Sequence, residues 1–600
     1  MAFAKSNRFD PFKPFPESAS QAEKIAHQAD QEGVCDWTFR RPILNALPDR
    51  FAIPVAKRYT EIHSTESRFD ANTYLLDTQD DLSQFALSLS ASDDDLISYA
   101  KSAATRCAYH RKVLKESKAA YEFLISYISN RYSINPPLFY TVETIKIPVT
   151  VTDENSTVAG TDTVTDKLTI VRNVTVSIEG MLNRFCDEYW WRRMLRNITS
   201  RNVEKYSIDL GLVHRYAGIY ISEESMQRRR QQKRRNKRAM ESCLLTNELG
   251  QEYTLLELAE HSLANPANRR AELMVRIRGT EEVSKSLGHK AVLYTITAPS
   301  RMHARRSKSG EPYPKYDGTT PLEVQKYFTK LWAQIRAQLA RDGVMYYGFR
   351  VVEPHHDGTP HWHLLLFMTK PSMKLVTNVL RTYAMREDSN ERGASKHRFT
   401  AVKVDPKKGS ATGYIAKYIS KSIDGYGIDE DLYGYDAKDS ARRISSWASI
   451  WGIRQFQQLG GPPVTLYREL RRIQGNELSG LLLEAWQAAD KGDWETFIKL
   501  MGGPNISRKD CPLKTARLWS DEPNRYLEPK GFKITGVNYG NVLVPTRLHQ
   551  WTVTYQAKQK DHKGVIEGSR PPHIDPSNSI HYLIDTSPLD TSLAPLEFCQ

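Results

Sequence analysis

The 600-residue chain has few cysteines, and their placement excludes two common uses of this residue. The six cysteines are scattered and form no C-x-x-C pair; they are Cys35, Cys107, Cys186, Cys243, Cys511 and Cys599. A structural zinc site or a disulfide framework needs clustered or regularly spaced cysteines, so the sequence predicts neither. This usage is typical of a protein kept in a reducing cytosol.

Long apolar runs and a nucleotide-binding loop are also absent. No stretch of about 18 apolar residues occurs, and the first residues lack the apolar segment of a secretory signal. We therefore expect a soluble, cytoplasmic protein that makes no contact with a membrane. The pattern G-x-x-x-x-G-K-[ST] does not occur either, which argues against a helicase motor within this chain.

Positive charge, in contrast, is in excess and is concentrated in one predicted helix. The chain has 84 Lys and Arg against 70 Asp and Glu, a formal net charge of +14, which favours a polyanionic partner. Ser222 is a good N-cap for a helix in which eight of the twelve residues 227–238 are cationic. This helix is either a solvated surface or a contact for nucleic-acid phosphates. The arginines predicted to bind nucleic acid are Arg228, Arg229, Arg230, Arg234 and Arg235.

Changes in composition along the chain predict four regions. Residues 1–135 are mainly helical, and residues 136–284 combine a β-hairpin around residues 140–171 with the basic helix. Residues 285–430 have the most regular pattern of strands and helices. Residues 431–600 are predicted to be mainly helical, with helices at 453–459 and 481–500 and an extended tail after about residue 565.

The regular region predicts an α+β fold. Strands are expected at 291–297, 344–353, 361–368 and 397–404. One helix lies between the first two strands and another between the last two. The order β-α-β-β-α-β is that of a ferredoxin-like, split-βαβ domain, in which helices pack on one face of an antiparallel sheet. A further helix at the end of this region carries two tyrosines.

Two histidines of this region have the spacing of metal ligands on a strand. His361 and His363 are two residues apart, so their imidazoles share a face, and Trp362 points to the core. Glu353 is our choice as third ligand, because a hairpin loop with an odd number of residues would place it opposite His361. His355 is the alternative. Two imidazoles and a carboxylate, with positions left open for substrate oxygens, suit Mg²⁺ or Mn²⁺.

The helix that follows the last strand places two tyrosines and two lysines on one face. At 100° per residue, Tyr414, Lys417, Tyr418 and Lys421 fall within an arc of about 100°. The isoleucines of the adjacent flank, which can pack on the sheet, are Ile415, Ile419 and Ile423. A cation that neutralises phosphate oxygens, a phenolate nucleophile and nearby lysines together suit phosphoryl transfer. The alternative is an amphipathic helix with ordinary surface tyrosines.

Together the motifs resemble those of the bacteriophage replication gene A protein family of peduovirus-like phages, which are two-tyrosine HUH endonucleases. Residues 361–363 resemble the H-hydrophobic-H motif, residues 414–421 the paired-tyrosine motif and residues 293–297 the family's first motif. The resemblance spans roughly residues 180–460. It includes the basic helix and the segments 187–193 and 211–215.

This resemblance implies a site- and strand-specific nickase that initiates rolling-circle replication with Mg²⁺ or Mn²⁺. One tyrosine would attack the scissile phosphate, leaving a 5′-phosphotyrosine and a free 3′-OH. The energy of the phosphodiester stays in the covalent link, so rejoining needs no nucleotide cofactor. The implied partners are single-stranded and supercoiled origin DNA, a host DNA polymerase that extends the 3′ end, and a host helicase.

Three other functions share part of this chemistry. A conjugative relaxase usually carries its tyrosine N-terminal to the histidine motif, whereas here Tyr414 and Tyr418 follow it. A two-tyrosine transposase of a mobile element would use the same residues. A non-catalytic protein that binds nucleic acid or stores metal would have the same cations and histidines but would not nick DNA.

Overall fold

The computed structural model describes residues 19–30, 36–83, 87–132, 177–431, 433–473 and 478–555. The predicted hairpin around residues 140–171 and the predicted C-terminal tail lie outside these residues. The chain divides into two compact units, one of residues 1–202 and 519–533 and one of residues 203–518 and 534–600. The described elements are helices and antiparallel sheets, as expected of the α+β class.

The first unit is built mainly from helices. They are α1 (Gln21–Ala26), α2 (Trp37–Asn45), α3 (Asp49–Thr65), α4 (Arg68–Ser83), α5 (Asp93–Leu114), α6 (Ser117–Tyr132), α7 (Ile178–Phe185) and α8 (Glu188–Asp209), which crosses the unit boundary. Ser20 and Ser92 begin α1 and α5 with capping boxes, which satisfy free backbone N–H groups of the first turn. Helices α5 to α8 share one apolar core, in which Tyr132 and Trp191 are among the largest buried side chains.

The second unit alternates helices and strands. Its helices are α9 (Glu223–Glu241), α10 (Leu255–His261), α11 (Pro266–Ser286), α12 (Pro321–Arg341), α13 (Ser372–Ala384), α14 (Ala394–His397), α15 (Ala411–Ile423), α16 (Ala437–Trp451), α17 (Val464–Leu470), α18 (Gly480–Asp490) and α19 (Trp494–Leu500). Its strands are β1 (Cys243–Asn247), β2 (Glu252–Thr254), β3 (Lys290–Thr297), β4 (Tyr347–Pro354), β5 (Pro360–Met368), β6 (Phe399–Lys403), β7 (Phe456–Leu459), β10 (Val542–Pro545) and β11 (Trp551–Tyr555). Strands β8 (Leu513–Pro523) and β9 (Pro529–Tyr539) cross the unit boundary. None of the helices in the described part of the chain has the length and apolar content needed to span a bilayer.

A five-stranded antiparallel sheet forms the centre of the second unit. Its strands lie in the order β6-β3-β5-β4-β7. The elements follow one another as β3-α12-β4-β5-α13-β6, which is the order predicted from the sequence. Helix α12 begins at Pro321, where Thr320 and Glu323 form a capping box. Gly343, with φ of +65°, follows the end of this helix, and the apolar face of the helix is buried.

Helices cover both faces of this sheet, which corrects the prediction of helices on one face only. Helices α12 and α13 pack on the face that contains Tyr294 and Trp362. Helices α11 and α15 pack on the opposite face, which contains Phe349, Leu365 and Phe367. The physical reason lies in β4 and β5, in which nearly every residue is buried instead of every second one.

Several strands of the C-terminal region were missed by the sequence-based prediction of mainly helical structure. Residues 456–459 form the edge strand β7 instead of a helix, and residues 513–555 contain β8 to β11. Strand β11 pairs with β1, so that Cys243 lies opposite Tyr555. A short strand that pairs with a segment some 300 residues away leaves little local pattern, because its partner supplies the pairing.

Candidate metal site and tyrosine helix

The side chains of Glu353, His361 and His363 meet on the α15 face of the β4–β5 hairpin. Their potential ligand atoms all lie within 4.8 Å of one another, the only such group in the described ranges. The two Nε2 atoms are 2.9 Å apart, and Glu353 Oε2 lies 3.6 Å from that of His363 and 4.0 Å from that of His361. Neighbouring ligands of an octahedral Mg²⁺ are about 3 Å apart, since the bonds are about 2.1 Å long. The spacing therefore fits a shared cation.

The hairpin register places Glu353, and not His355, opposite His361. Glu353 lies opposite His361 and Pro354 opposite Pro360, so residues 355–359 form a loop with an odd number of residues. Neither proline has an N–H to extend the ladder, which explains why regular pairing ends there. His355 lies in the loop, and its ring packs on that of His361 with centroids 4.2 Å apart.

Contacts from distant parts of the second unit hold this loop in place. The Trp447 indole N–H donates to the carbonyl of Gly358 at 2.8 Å, and the Tyr220 N–H donates to that of His356 at 3.2 Å. His303 Nδ1 lies 3.1 Å from a carboxylate oxygen of Asp357. The protein itself therefore holds the loop of the ligand-bearing hairpin in place.

Hydrogen bonds also orient the ligands themselves. Thr295 Oγ1 lies 2.9 Å from His363 Nδ1, so the free nitrogen of this imidazole is the Nε2 directed at the cluster. The Ser422 hydroxyl donates to Glu353 Oε1 at 3.0 Å. The other carboxylate oxygen, Oε2, is buried without a hydrogen-bond partner. A buried carboxylate oxygen is rarely left so, and a bound cation would satisfy it.

The charges around the cluster favour ligands that are ready to bind a cation. Burial opposes ionisation of Glu353, but Lys421 and His363 outweigh it, so the pKa of this carboxyl lies below its usual value. Burial, and then the neighbouring His355, His363 and Lys421, hold the pKa of His361 well below its ordinary value. A carboxylate and a neutral imidazole are the protonation states that bind metal.

Two residues, Ser410 and Glu281, cap the N-terminus of helix α15, and Glu281 was not predicted from the sequence. Ser410 is the N-cap and accepts a hydrogen bond from the N–H of Gly413. Glu281 of α11 accepts from the N–H groups of Ala411 at 3.1 Å and Thr412 at 2.8 Å. A carboxylate here also complements the positive end of the helix dipole. The predicted isoleucine flank of α15 packs on the sheet.

Two of the four predicted residues on α15 reach the cluster directly. The Tyr418 ring stacks on His363 with centroids 4.0 Å apart and an interplanar angle of 25°. Lys421 is buried, with Nζ 3.8 Å from Glu353 Oε2. Tyr414 lies one turn earlier and is half-buried, and Lys417 is exposed. Burial, and then the charge of Glu353, raise the pKa of Tyr418, so its ionisation needs added positive charge.

Tyr220 packs against Lys421, beside the metal-site residues, and was not predicted from the sequence. It is fully buried and has φ of +67°, a conformation that bulky residues rarely adopt. Its hydroxyl donates to Asp431 at 2.7 Å, and Lys421 Nζ lies 5.1 Å from the centre of its ring. It lies between the segment 211–215 and the predicted N-cap Ser222, and neither of these signals indicated it.

The predicted basic helix is α9, and its five arginines have different surroundings. Ser222 is the N-cap, as predicted. Arg228 pairs with Glu224 at 2.7 Å and Arg230 with Asp439 at 3.5 Å. Arg229 is half-buried. Arg234 and Arg235 are exposed, so the helix combines a packed side with an open one.

Removing the hydroxyl that orients His363 should weaken metal binding. We expect Thr295→Val, which keeps the side-chain shape, to reduce affinity for Mn²⁺ by about 10- to 100-fold, as for other residues that orient metal ligands. Titration calorimetry with Mn²⁺ measures this directly. Thr400, the exposed cross-strand neighbour of Thr295, provides the control variant Thr400→Val. Equal affinities of the two variants would contradict the role of Thr295.

Comparison with known proteins finds relatives of this chain among phage replication proteins. Residues 144–426 match the family model described as bacteriophage replication gene A protein (GPA). The replication gene A protein of Escherichia phage 186 is 42% identical over 384 residues, which are 62% of this chain and 55% of that protein. The probable replication protein P12 of Pseudoalteromonas phage PM2 is 40% identical over 388 residues, 63% of this chain and 60% of that protein. The replication gene A protein of Escherichia phage P2 is 36% identical over 362 residues, 58% of this chain and 47% of that protein.

The matched segment of this chain, which contains the candidate site, is therefore similar to proteins of phage DNA replication. More narrowly, it matches the bacteriophage replication gene A protein family, and the resemblance found in the sequence is confirmed. The chain spans about half to three fifths of the length of these curated relatives. No solved structure gives a significant match.

Proposed function

We propose that this protein is a site- and strand-specific DNA nickase and rejoining enzyme that initiates rolling-circle replication of a phage genome. The observation that carries the proposal is the stacking of Tyr418 on His363, a member of the cluster with Glu353 and His361. A nucleophile beside a cation site is what phosphoryl transfer requires. Curated relatives from Salmonella typhi and Salmonella paratyphi A are named probable replication endonucleases.

The central sheet is proposed to be a ferredoxin-like HUH nuclease domain. Across the sheet, four of its strands lie in the order β6-β3-β5-β4. Numbered by their position in the chain, these are the fourth, first, third and second of the four strands. This is the arrangement that a split-βαβ unit produces, since each helix connects two parallel strands that have a third strand between them. Helices α12 and α13, which make these connections, share one face of the sheet.

Glu353, His361 and His363 would hold Mg²⁺ or Mn²⁺, which supplies Lewis-acid stabilisation of the negative charge on the scissile phosphate. Thr295 and Ser422 keep the ligands in position. The protein would also place a phenol, that of Tyr418, beside the scissile phosphate.

In the proposed reaction, the phenol oxygen of Tyr418 loses its proton and bonds to phosphorus. The bond between phosphorus and the 3′ oxygen breaks, and this oxygen takes up a proton. One ester replaces another, which leaves a 5′-phosphotyrosine and a 3′-OH, so the reverse step can rejoin the strand. Lys421 offsets the buried charge of Glu353, and the exposed Lys417 is available to contact DNA phosphates.

The proposed partners follow from this chemistry. Single-stranded and supercoiled origin DNA are the substrates, and contacts from Arg228, Arg229, Arg230, Arg234 and Arg235 would add affinity that depends on salt. The free 3′-OH suits extension by a host DNA polymerase. Unwinding is assigned to a host helicase, since the sequence has no phosphate-binding loop for a motor of its own.

A nicking assay tests the proposal. The purified protein is incubated with a supercoiled plasmid that carries its gene and flanking DNA, with Mg²⁺, with Mn²⁺ or with EDTA. We expect metal-dependent conversion to open circles, with the protein covalently attached to a 5′ end on Tyr414 or Tyr418, located by mass spectrometry. Nicked products without attached protein would contradict the proposal. Transfer of the cut strand into unrelated DNA would favour a transposase.

A further inference from the structure

Three helices of the second unit converge near the C-terminal end of the tyrosine helix. Arg230 of α9 pairs with Asp439 of α16 at 3.5 Å, which joins these two helices. Arg270 of α11 pairs at 2.8 Å with Asp424, the C-cap residue of α15. The convergence therefore lies about one helical turn beyond Lys421, which contacts the candidate metal site.

Four cations lie on these helices, in which α15 packs against α11 and α16, and α16 packs against α9, and the charges of Arg229, Arg269 and Arg442 all act on Lys233. Arg229 and Lys233 are one turn apart on the same side of α9, Arg269 lies near the start of α11, and Arg442 lies on α16. The Nε atoms of Arg229 and Arg269 are buried without a hydrogen-bond partner. Lys233 keeps an exposed end, yet the surrounding protein and then the charges of the three arginines lower its pKa. We call these four residues the cation cluster.

Such a cluster is costly unless an anion accompanies it. Burial lowers the pKa of Arg229 and also that of Arg269, for which the one opposing charge identified is that of Asp424. Asp424 is already paired with Arg270. Partly buried like charges repel each other, and an unpaired buried donor loses its hydrogen bonds to water, so both costs favour a bound anion.

The surroundings indicate which anion fits. Tyr426 lies just beyond Asp424, is 65% exposed, and carries the guanidinium of Arg270 3.9 Å from the centre of its ring. Sites for single-stranded nucleic acid combine cations along the backbone with exposed aromatic rings on which bases stack. A cluster of four cations beside such a ring suits a run of phosphodiesters better than a single small anion.

We propose that the cation cluster binds the phosphate backbone of single-stranded DNA next to the cleavage site, with Tyr426 stacking on a base. This inference rests on the proposed nickase function, because a nickase acts on the single-stranded DNA that the cluster would bind. It assigns the packed side of α9, instead of its open side with Arg234 and Arg235, as the main phosphate contact.

Salt dependence of DNA binding tests the cluster. We compare wild-type protein, the variant Arg229→Gln/Lys233→Gln/Arg269→Gln, and the control Lys326→Gln/Lys330→Gln/Arg341→Gln, which removes three exposed cations from α12. Fluorescence anisotropy with a labelled single strand of about 30 nucleotides, in EDTA, gives affinity at several salt concentrations. We expect the slope of log K against log salt to flatten by about 2 in the cluster variant, and by less than half as much in the control. Equal slopes in the two variants would overturn the proposal.

A second variant and a second ligand complete the experiment. Arg442 is exposed, so Arg442→Glu should leave the melting temperature unchanged while flattening the slope by about 1. This variant gives a result even if the triple variant fails to fold, and an unchanged slope would count against the cluster. Equal dependence on the cluster for a duplex of the same sequence would overturn the assignment to single strands.

The nickase proposal and this inference can fail separately. A wild-type protein that never nicks DNA, but whose binding depends on the cation cluster, would contradict the function alone. A nicking enzyme whose cluster and control variants bind alike would contradict this inference alone.

Discussion

Replacing either histidine of the cluster is expected to reduce metal-dependent nicking by at least about a thousandfold, while DNA binding stays nearly unchanged. Each of His361→Ala and His363→Ala removes one of three ligands, and the charge stabilisation lost from the transition state is several kcal/mol. DNA binding depends on cations outside the metal site, which neither change touches. Nicking of supercoiled DNA at increasing Mn²⁺ measures the first effect, and anisotropy in EDTA measures the second.

A control and a readout independent of activity make this test specific. His397→Ala removes an exposed histidine at the end of α14 and should change nothing. Titration calorimetry should show that Mn²⁺ binding is lost in both cluster variants and kept in the control. Full Mn²⁺-dependent nicking by the double variant His361→Ala/His363→Ala would show that the metal assignment is wrong.

Glu353 gives a less direct test of the same site. Its carboxylate lies 3.8 Å from the buried ammonium of Lys421 and accepts a hydrogen bond from Ser422. Removing one member of a buried pair leaves the other charge uncompensated, which typically costs about 3–5 kcal/mol of stability. Loss of activity in Glu353→Ala would therefore mix a folding defect with loss of a ligand. Replacing His361 or His363 leaves the pair of Glu353 and Lys421 in place, so these variants report on metal more clearly.

Local periodicity was enough to predict much of this site. The two-residue period of a strand placed His361 and His363 together with Trp362 on the opposite face, and the structure agrees. The same period gave the parity rule that put Glu353 opposite His361. The 3.6-residue period of a helix predicted which side of α15 packs on the sheet. In each case the residues concerned are close in sequence or joined by a short hairpin.

The residues that hold the site in place could not be predicted in this way. Glu281 caps α15 from 130 residues away, and Ser422 reaches Glu353 across 69 residues. Tyr220 is held by Asp431, 211 residues further along the chain. Such contacts depend on how the elements pack, and neither periodicity nor composition carries that information. The α11 layer, which covers the second face of the sheet, was missed for the same reason.

The two tyrosines of α15 are expected to act as a pair, and removing both should abolish the covalent adduct. Tyr414 and Tyr418 lie one turn apart, and Tyr418 stacks on His363. In Tyr→Phe variants the ring and its packing remain and only the nucleophilic oxygen is lost. The proposed order of events is that one tyrosine holds the 5′ end while the other cleaves the origin regenerated after one circuit. The released 3′-OH then attacks the first phosphotyrosine, which circularises the displaced strand.

The single and double tyrosine variants should therefore lose different steps of the reaction. We expect Tyr414→Phe/Tyr418→Phe to form no adduct with a single-stranded origin oligonucleotide, and each single variant to keep some cleavage. Tyr418→Phe should lose more than Tyr414→Phe, because Tyr418 is the phenol in contact with the cluster. Both single variants should fail to release circles over repeated rounds, since the hand-over needs two nucleophiles, whereas Tyr383→Phe on α13 should behave as wild type. A protein–DNA adduct formed by the double variant would place the nucleophile elsewhere in the chain.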